Sequence, residues 1–331
     1  MGGKILPRES LRNCLDFLAK ACNYYNCITL LLHTDDTLHS NLKQMGHMYF
    51  RDTAHFWVEL RGIKTLDIDS LQGSVRKEFP MNYTTMIFSP TGGTEKAVEA
   101  LTSKWGQQIH TVDLTNAAID FSQFSFQAED LVVIAVPSYG GRVPHLAAER
   151  IQKVRGNGAN AVLVCVYGNR AYEDTLVELE DAAKAAGFRI TAAVAAIAEH
   201  SIVRRFAAGR PDAEDQAILA SYGQTILDRL ESGTEAGTIP GNRPYKKAGG
   251  SGMTPQTGDA CTQCGLCAKQ CPAGAIDKND AKAVDPTECI SCMRCVAICP
   301  QHAKFLDAAR LTGISAMLEK VCTERKTCEL Y

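Results

Sequence analysis

Between residues 81 and 231 the chain alternates short apolar runs with amphipathic stretches. Leu131–Val136 and Ala161–Tyr167 are apolar throughout, as strands buried on both faces are. Thr84–Ser89, Gln108–Leu114 and Arg189–Ile197 complete a set of five short strand-like runs. Helices are expected from about Thr94 to Trp105, over Pro144–Lys153, and over Tyr172–Ala186 with Leu176 and Leu179 on one face. A fourth is expected from about Pro211, a residue suited to a first helical turn, to Leu230. Strands alternating with helices predict an α/β fold, a doubly wound five-stranded parallel sheet with right-handed crossovers. Ligands of such sheets bind beyond the carboxyl ends of the strands.

The pattern changes on either side of this region. Residues 1–80 show no sustained helical or strand period. They are expected to be an N-terminal extension without recognisable order, or the product of a start codon set too early. Cys14, Cys22, Cys27, His33, His39, His47 and His55 fall there without any recognisable ligand spacing. Residues 232–258 are rich in Gly, Pro, Thr and Ser and predict a linker. Residues 259–305 carry a dense cysteine pattern and predict a small α+β domain, and 306–331 a helical tail.

Composition narrows the class. A net charge of −2 gives no reason to expect nucleic acid or an anionic membrane surface as partner. No apolar run is long enough to span a bilayer, and the start lacks the layout of a secretory signal, so a cytoplasmic location is expected. In a reducing compartment clustered cysteines bind metal rather than form disulfides. Of 14 cysteines, eight lie between Cys261 and Cys299, which places the metal chemistry in that segment. Cys165, inside an apolar strand, reads as a small buried hydrophobe, and Cys322 and Cys328, on the C-terminal helix, as free thiols.

The eight cysteines form a repeat. Cys261-x-x-Cys264-x-x-Cys267-x-x-x-Cys271-Pro272 recurs as Cys289-x-x-Cys292-x-x-Cys295-x-x-x-Cys299-Pro300. Three closely spaced thiolates wrap one [4Fe–4S] cluster, and the cysteine beside the proline reaches the other. Cys261, Cys264, Cys267 and Cys299 are therefore assigned to one cluster, and Cys289, Cys292, Cys295 and Cys271 to the second. Structural zinc sites take cysteine pairs separated by a dozen or more residues, which this spacing does not match.

Three loops follow strands and share one edge of the expected sheet. Ser89-Pro90-Thr91-Gly92-Gly93-Thr94 leads from strand to helix through hydroxyls and glycines, the chemistry of an anion site. It is neither a Walker A loop nor a dinucleotide fingerprint, and a helix cap of ordinary kind has the same composition. Pro137-Ser138-Tyr139-Gly140-Gly141 sets an aromatic beside glycines, and Tyr167-Gly168-Asn169-Arg170-Ala171-Tyr172 follows the next strand. Each alone reads as a turn.

Together the loops resemble those of flavodoxins over about residues 83–230. The resemblance implies a flavodoxin-like fold binding FMN. Ser89, Thr91, Gly92, Gly93 and Thr94 would hold the phosphate, Ser138, Tyr139 and Gly140 one side of the ring, and Gly168, Asn169 and Tyr172 the other. Pro90 departs from the pattern by removing a backbone donor. The segment 259–305 is similar to bacterial two-cluster ferredoxins, with Ala275, Ile276 and Ala303 at small or apolar positions over the clusters. The whole arrangement resembles a family of flavodoxin–ferredoxin fusions from anaerobic bacteria. It implies an iron–sulfur flavoprotein that relays electrons between FMN and two [4Fe–4S] clusters, with redox proteins as partners. Two alternatives stand beside it: a flavin-dependent reductase of a small substrate fed by the clusters, and a ferredoxin with a vestigial flavin site. No second dinucleotide fingerprint supports NAD(P)H as direct donor. His200 reads as a loop-capping residue ahead of a proton donor.

Overall fold

The computed structural model describes residues 48–50, 56–58, 82–106, 108–249 and 252–331. The chain divides into two units, Met1–Lys77 and Glu78–Tyr331. In the first, Met48–Phe50 (β1) and Phe56–Val58 (β2) pair antiparallel. The cysteines and histidines singled out between residues 1 and 80 lie outside the described residues.

The second unit opens with Tyr83–Ile87 (β3), Gly93–Thr102 (α1) and Ile109–Asp113 (β4). Leu131–Pro137 (β5), His145–Ile151 (α2), Asn160–Tyr167 (β6), Thr175–Ala185 (α3), Arg189–Ile197 (β7) and Ala213–Ser232 (α4) follow. The order β4-β3-β5-β6-β7 is parallel throughout. Numbered along the chain, these strands run 2-1-3-4-5, the flavodoxin-like order. The fully apolar runs occupy the middle of the sheet because only there are both faces covered. Leu131–Val136 and all of β6 are buried, whereas edge strand β4 exposes His110 and Thr111.

Helices α1 and α4 pack together, as do α2 and α3. The α1–α4 contact is close enough to need glycine. A Cβ on Gly223 would lie 1.9 Å from the Leu101 carbonyl oxygen. Trp105 Nε1 donates to the Gly223 carbonyl at 3.2 Å. Helix α4 starts at Ala213 rather than at Pro211. Asp212 is the cap: its carboxylate accepts the Asp215 N–H at 3.1 Å, and the Asp215 carboxylate accepts the Asp212 N–H at 3.1 Å.

Beyond α4, the segment expected to be a linker is pinned to α3. Asp174 accepts the N–H groups of Asn242 and Lys246 at 2.8 and 2.7 Å, and Arg243 pairs with Asp181 at 2.6 Å. Gln256–Thr257 (β8) then begins the small cysteine-bearing module. Leu266–Lys269 (α5) and Arg294–Ile298 (α6) each carry the third cysteine of a repeat, and Lys304–Phe305 (β9) pairs antiparallel with β8.

The C-terminal segment is helical only in part. Ala308–Glu319 (α7) is followed by an extended stretch, and Glu329–Leu330 (β10) adds a sixth, antiparallel strand beside β7. Cys322 and Cys328 therefore lie beyond the helix, not on it. The stretch is drawn out by anchors in the sheet domain: Arg210 Nη2 donates to the Lys326 carbonyl at 2.9 Å, and Arg325 pairs with Asp212 at 2.9 Å. Cys165, Cys322 and Cys328 are free thiols.

Candidate redox-cofactor site

The cysteines form two sets around two voids. Cys271, Cys289, Cys292 and Cys295 line one, together with Pro272, Ala275, Ile276, Met293 and Arg294. Cys261, Cys264, Cys267 and Cys299 line the other, with Gly265, Ala303 and Lys304. The partition is the one the spacing predicts, the proline-linked cysteine of each repeat joining the other set. In each set the four thiols surround a space. Among the described residues no three His, Cys, Asp or Glu side chains converge as a lone ion requires.

The thiols differ in surroundings. Burial pushes Cys292 up to about 11 and Cys295 to about 12, the neighbouring thiol Cys292 adding to the shift at Cys295. At Cys299, burial pushes up but is outweighed by N–H groups, one of them that of Ala303 at 3.3 Å from Sγ, and the thiol is lowered. Two cations that spacing alone did not single out stand at these voids. Lys304 is only 3% exposed, its Nζ donating to Thr257 Oγ1 at 2.7 Å and to the Ala281 carbonyl at 2.6 Å. Arg294, between Cys292 and Cys295, donates through Nη1 to Thr115 Oγ1 at 3.0 Å and the Ser89 carbonyl at 3.5 Å. A buried or half-buried cation beside a cysteine repeat is the signal for such residues.

Arg294 thereby docks the module onto the phosphate-type loop of the sheet. Arg150, also buried, makes a second bridge, its Nη2 donating to the Pro272 carbonyl at 2.7 Å. Ile290 packs against the core of the sheet domain. All three contacts involve the repeat that supplies Cys289, Cys292 and Cys295, or the residue next to Cys271. Tyr139 faces the same set: burial, and then the Cys292 thiol, push its phenol well above the ordinary value.

Of the loop residues, Ser89 Oγ accepts the Glu95 N–H at 3.0 Å, and Gly92 caps α1 at φ +86 with open space where a Cβ would stand. The N–H groups at the start of α1 lack intrahelical acceptors, as at any helix N-terminus. Gly93 lies against Ala198, Thr94 is buried and Thr91 exposed. Gly140 and Gly141, both at positive φ, close a tight turn in which Tyr139 and Arg142 exchange backbone hydrogen bonds at 2.9 and 3.2 Å.

The other residues expected to frame a ring turn their side chains to partners within the chain. Ser138 Oγ shares a hydrogen bond with Thr175 Oγ1 at 2.7 Å. The Asn169 amide donates to the Glu324 carbonyl at 2.8 Å and accepts the Lys326 N–H at 3.1 Å. Tyr172 binds Tyr331 through the two hydroxyls at 2.7 Å and donates to Glu329 at 3.0 Å; burial, then these partners, raise its pKa. A Cβ on Gly168 would lie 2.6 Å from His200 Cδ2. His200 Nδ1 accepts the N–H groups of Ile202 and Val203 at 3.2 and 3.1 Å, so it caps its loop and carries its proton on Nε2 when neutral. Burial, followed by the Arg170 charge, lowers its pKa.

Residues 255–300 match the family model described as a 4Fe-4S dicluster domain. A ferredoxin-like protein in the nif region of Rhizobium leguminosarum bv. trifolii is 49% identical over 47 residues, which cover 12% of this chain and 73% of that protein. Through this module the chain belongs to the two-cluster ferredoxins. The ferredoxin module is also 50% identical over 44 residues to one component of an ion-translocating oxidoreductase complex of Methanosarcina acetivorans. That match covers 13% of this chain and only 17% of the relative's length. Among solved structures, a Streptococcus pneumoniae flavodoxin is similar at 17% identity and a TM-score of 0.33, covering 44% of this chain and 99% of the flavodoxin. The fold of the sheet domain is carried by its strand order. The chain is thus a flavodoxin-like domain fused to a ferredoxin module of the [4Fe–4S] dicluster type. Among the described residues no helix is long and apolar enough to cross a membrane.

Proposed function

We propose that the chain is an iron–sulfur flavoprotein that exchanges electrons between FMN and two [4Fe–4S] clusters, and hands them to or takes them from redox proteins. Cys261, Cys264, Cys267 and Cys299 hold one cluster, and Cys271, Cys289, Cys292 and Cys295 the other. Ser89, Thr91, Gly92, Gly93 and Thr94 hold the flavin phosphate, with Tyr139 and Gly140 beside the ring. The donor set suits the cluster: four thiols around one void, with N–H groups and cations nearby to offset negative charge. The helix start with its open glycine suits a phosphate. Ser138, on the same side as Tyr139, and Asn169 and Tyr172, across the ring, use their side-chain polar atoms within the chain. Contacts from that side therefore fall to the backbone of Gly168 and Asn169.

When bound, FMN takes up one or two electrons and each cluster one. The residues of this chain supply the placement. Arg294 and Arg150 fix the ferredoxin module on the sheet domain, so the meeting of the two sites is intramolecular and independent of concentration. Tyr139 lies near enough to the Cys292 set for that thiol to act on its phenol. The observation that carries the reading is the Arg294 bridge between the second repeat and the Ser89 loop.

An anaerobic absorbance spectrum with iron and released flavin quantified tests it. The expected outcome is roughly eight irons, two clusters of four, and one FMN per chain. Full iron without flavin, and no uptake of added FMN, would leave a ferredoxin on an inert scaffold. The engagement of Asn169 and Tyr172 by the C-terminal segment favours that second reading. Zinc in place of iron would sink both.

A further inference from the structure

The two cysteine repeats differ in charge and bulk between their second and third cysteines. Between the second and third cysteines, the first repeat has Gly265 and Leu266, the second Met293 and Arg294. Gly265 turns at φ +72, and Met293 makes the same left-handed turn at φ +62. A bulky side chain resists that conformation. The second repeat thus accepts backbone strain at the position preceding the arginine.

The guanidinium of Arg294 donates from both of its Nη atoms. Nη1 reaches Thr115 and Ser89, and Nη2 donates to Gln270 Oε1 at 3.1 Å. Its Nε is buried and has no hydrogen-bond partner among the described residues. Native proteins rarely leave a buried N–H of a charged group unpaired. Arg294 also lines the void of Cys271, Cys289, Cys292 and Cys295 and sits between two of those ligands in sequence. The other void has Leu266 at the matching position; its lining cation is Lys304, whose Nζ donates to Thr257 Oγ1 and the Ala281 carbonyl.

We propose that Arg294 Nε–H is a hydrogen-bond donor to the cluster held by Cys271, Cys289, Cys292 and Cys295, and that it sets this cluster's potential apart from that of its twin. The inference rests on the cluster assignment made above. A hydrogen bond from a cation to cluster sulfur lowers the cost of adding an electron, so Arg294 raises this cluster's potential above the value it would have without that bond. The same side chain grips the Ser89 carbonyl, so the tuned cluster is the one tied to the phosphate-type loop. Arg294 is in this sense a positioning and tuning residue.

The test is an EPR-monitored redox titration of the full chain as wild type, Arg294→Gln and Arg294→Lys, with iron quantified in each. In Arg294→Gln, one of the two midpoints falls. At a fixed potential the reduced-to-oxidised ratio of that cluster drops about tenfold, equivalent to about 59 mV for one electron. The other midpoint stays in place. Arg294→Lys keeps the charge but has no Nε–H, and moves the same cluster by less. Cys289→Ser identifies which cluster moved. Two unmoved midpoints with iron complete, or an equal shift of both, would overturn the proposal and leave Arg294 a strut between domains. If Arg294→Gln loads less iron than wild type, Arg294→Lys decides by the same criterion. Because the readout is on iron, protein without flavin defeats the FMN reading alone, and zinc in place of iron defeats the cluster assignment.

Discussion

Lys304 is a buried ammonium with two neutral oxygen acceptors and no carboxylate partner among its hydrogen bonds. In an iron-free chain the nearby thiols Cys267, Cys289 and Cys295 are held protonated, burial raising all three. The Asp280 carboxylate, which acts on Lys304 through space without a hydrogen bond to it, then offsets the ammonium only in part, a costly arrangement in low dielectric. Anionic clusters would supply the rest. Lys304→Met is therefore expected to narrow the gap in denaturant midpoint between the iron-loaded and iron-free forms, by loss in the first and gain in the second. An unchanged gap would mean that Lys304 acts only through Thr257 and the Ala281 carbonyl. At this scale the sequence was legible where chemistry restricts the residue type. Cysteine is the residue type a cluster calls for, and its neighbours in the motif are near in the chain, so the two sets of four around the voids could be read directly. Arg294 and Lys304 were not legible, because Arg and Lys are common surface residues. What distinguishes them is burial and partners far along the chain.

Among the elements, the α1–α4 contact makes a sharp prediction. A methyl at Gly223 would enter the Leu101 carbonyl at 1.9 Å and press on Trp105. Gly223→Ala gains helix propensity but forces the helices apart. A net destabilisation of about 1–3 kcal/mol is expected, the usual cost of overpacking, measurable by urea denaturation of the sheet domain. The pinned segment 242–246 responds to acid. The Arg170 hydrogen bond, then Lys246, hold Glu173 down to about 2. Backbone N–H groups of Lys246 and Asn242 lower Asp174, and Arg243 lowers Asp181. Groups with lowered pKa stabilise above their unfolded values and lose that contribution as pH falls through the folded ones. Amide exchange at Asn242 and Lys246, corrected for intrinsic rate, is expected to speed up as pH falls from about 5 toward 2. Asp174→Asn should show faster exchange already at neutral pH. Exchange at these amides independent of pH and of Asp174 would contradict the assignment. The strands of the sheet were legible because β5 and β6 are apolar at nearly every position and are too short for a buried helix, as a central parallel strand is. Strand β10 was not, since two residues carry no period and its partner lies far back in the sequence.

At the scale of the whole molecule, the ferredoxin module is held at both ends and across its face. The 242–246 segment fixes the chain before it, β10 and the Asn169 and Arg210 contacts fix the chain after it, and Arg150 and Arg294 bind between. Metal binding in small modules is coupled to folding. Removing iron with a chelator is expected to raise amide exchange across residues 255–305 and at Thr115 and the Ser89 loop, where Arg294 grips. The β5 and β6 amides should keep their protection. Loss of protection in β5 and β6 as well would show one cooperative unit. That the module lies against the sheet's ligand edge could not be read from sequence, which offers a Gly- and Pro-rich connection and no sign of where it lies.

Strand β10 also bears on how copies of this chain meet one another. Strand β7 is apolar from Ile190 to Ile197 apart from Thr191, and its outer side would otherwise offer unpaired N–H and C=O groups. Tyr331 and Ala193 exchange backbone hydrogen bonds at 2.8 and 3.2 Å, and β10 pairs with Val194 and Ala195. A nick or deletion that frees these last residues would turn a closed border into a template for strand addition, so trimmed protein should self-associate through its sheet even while its cofactors remain in place.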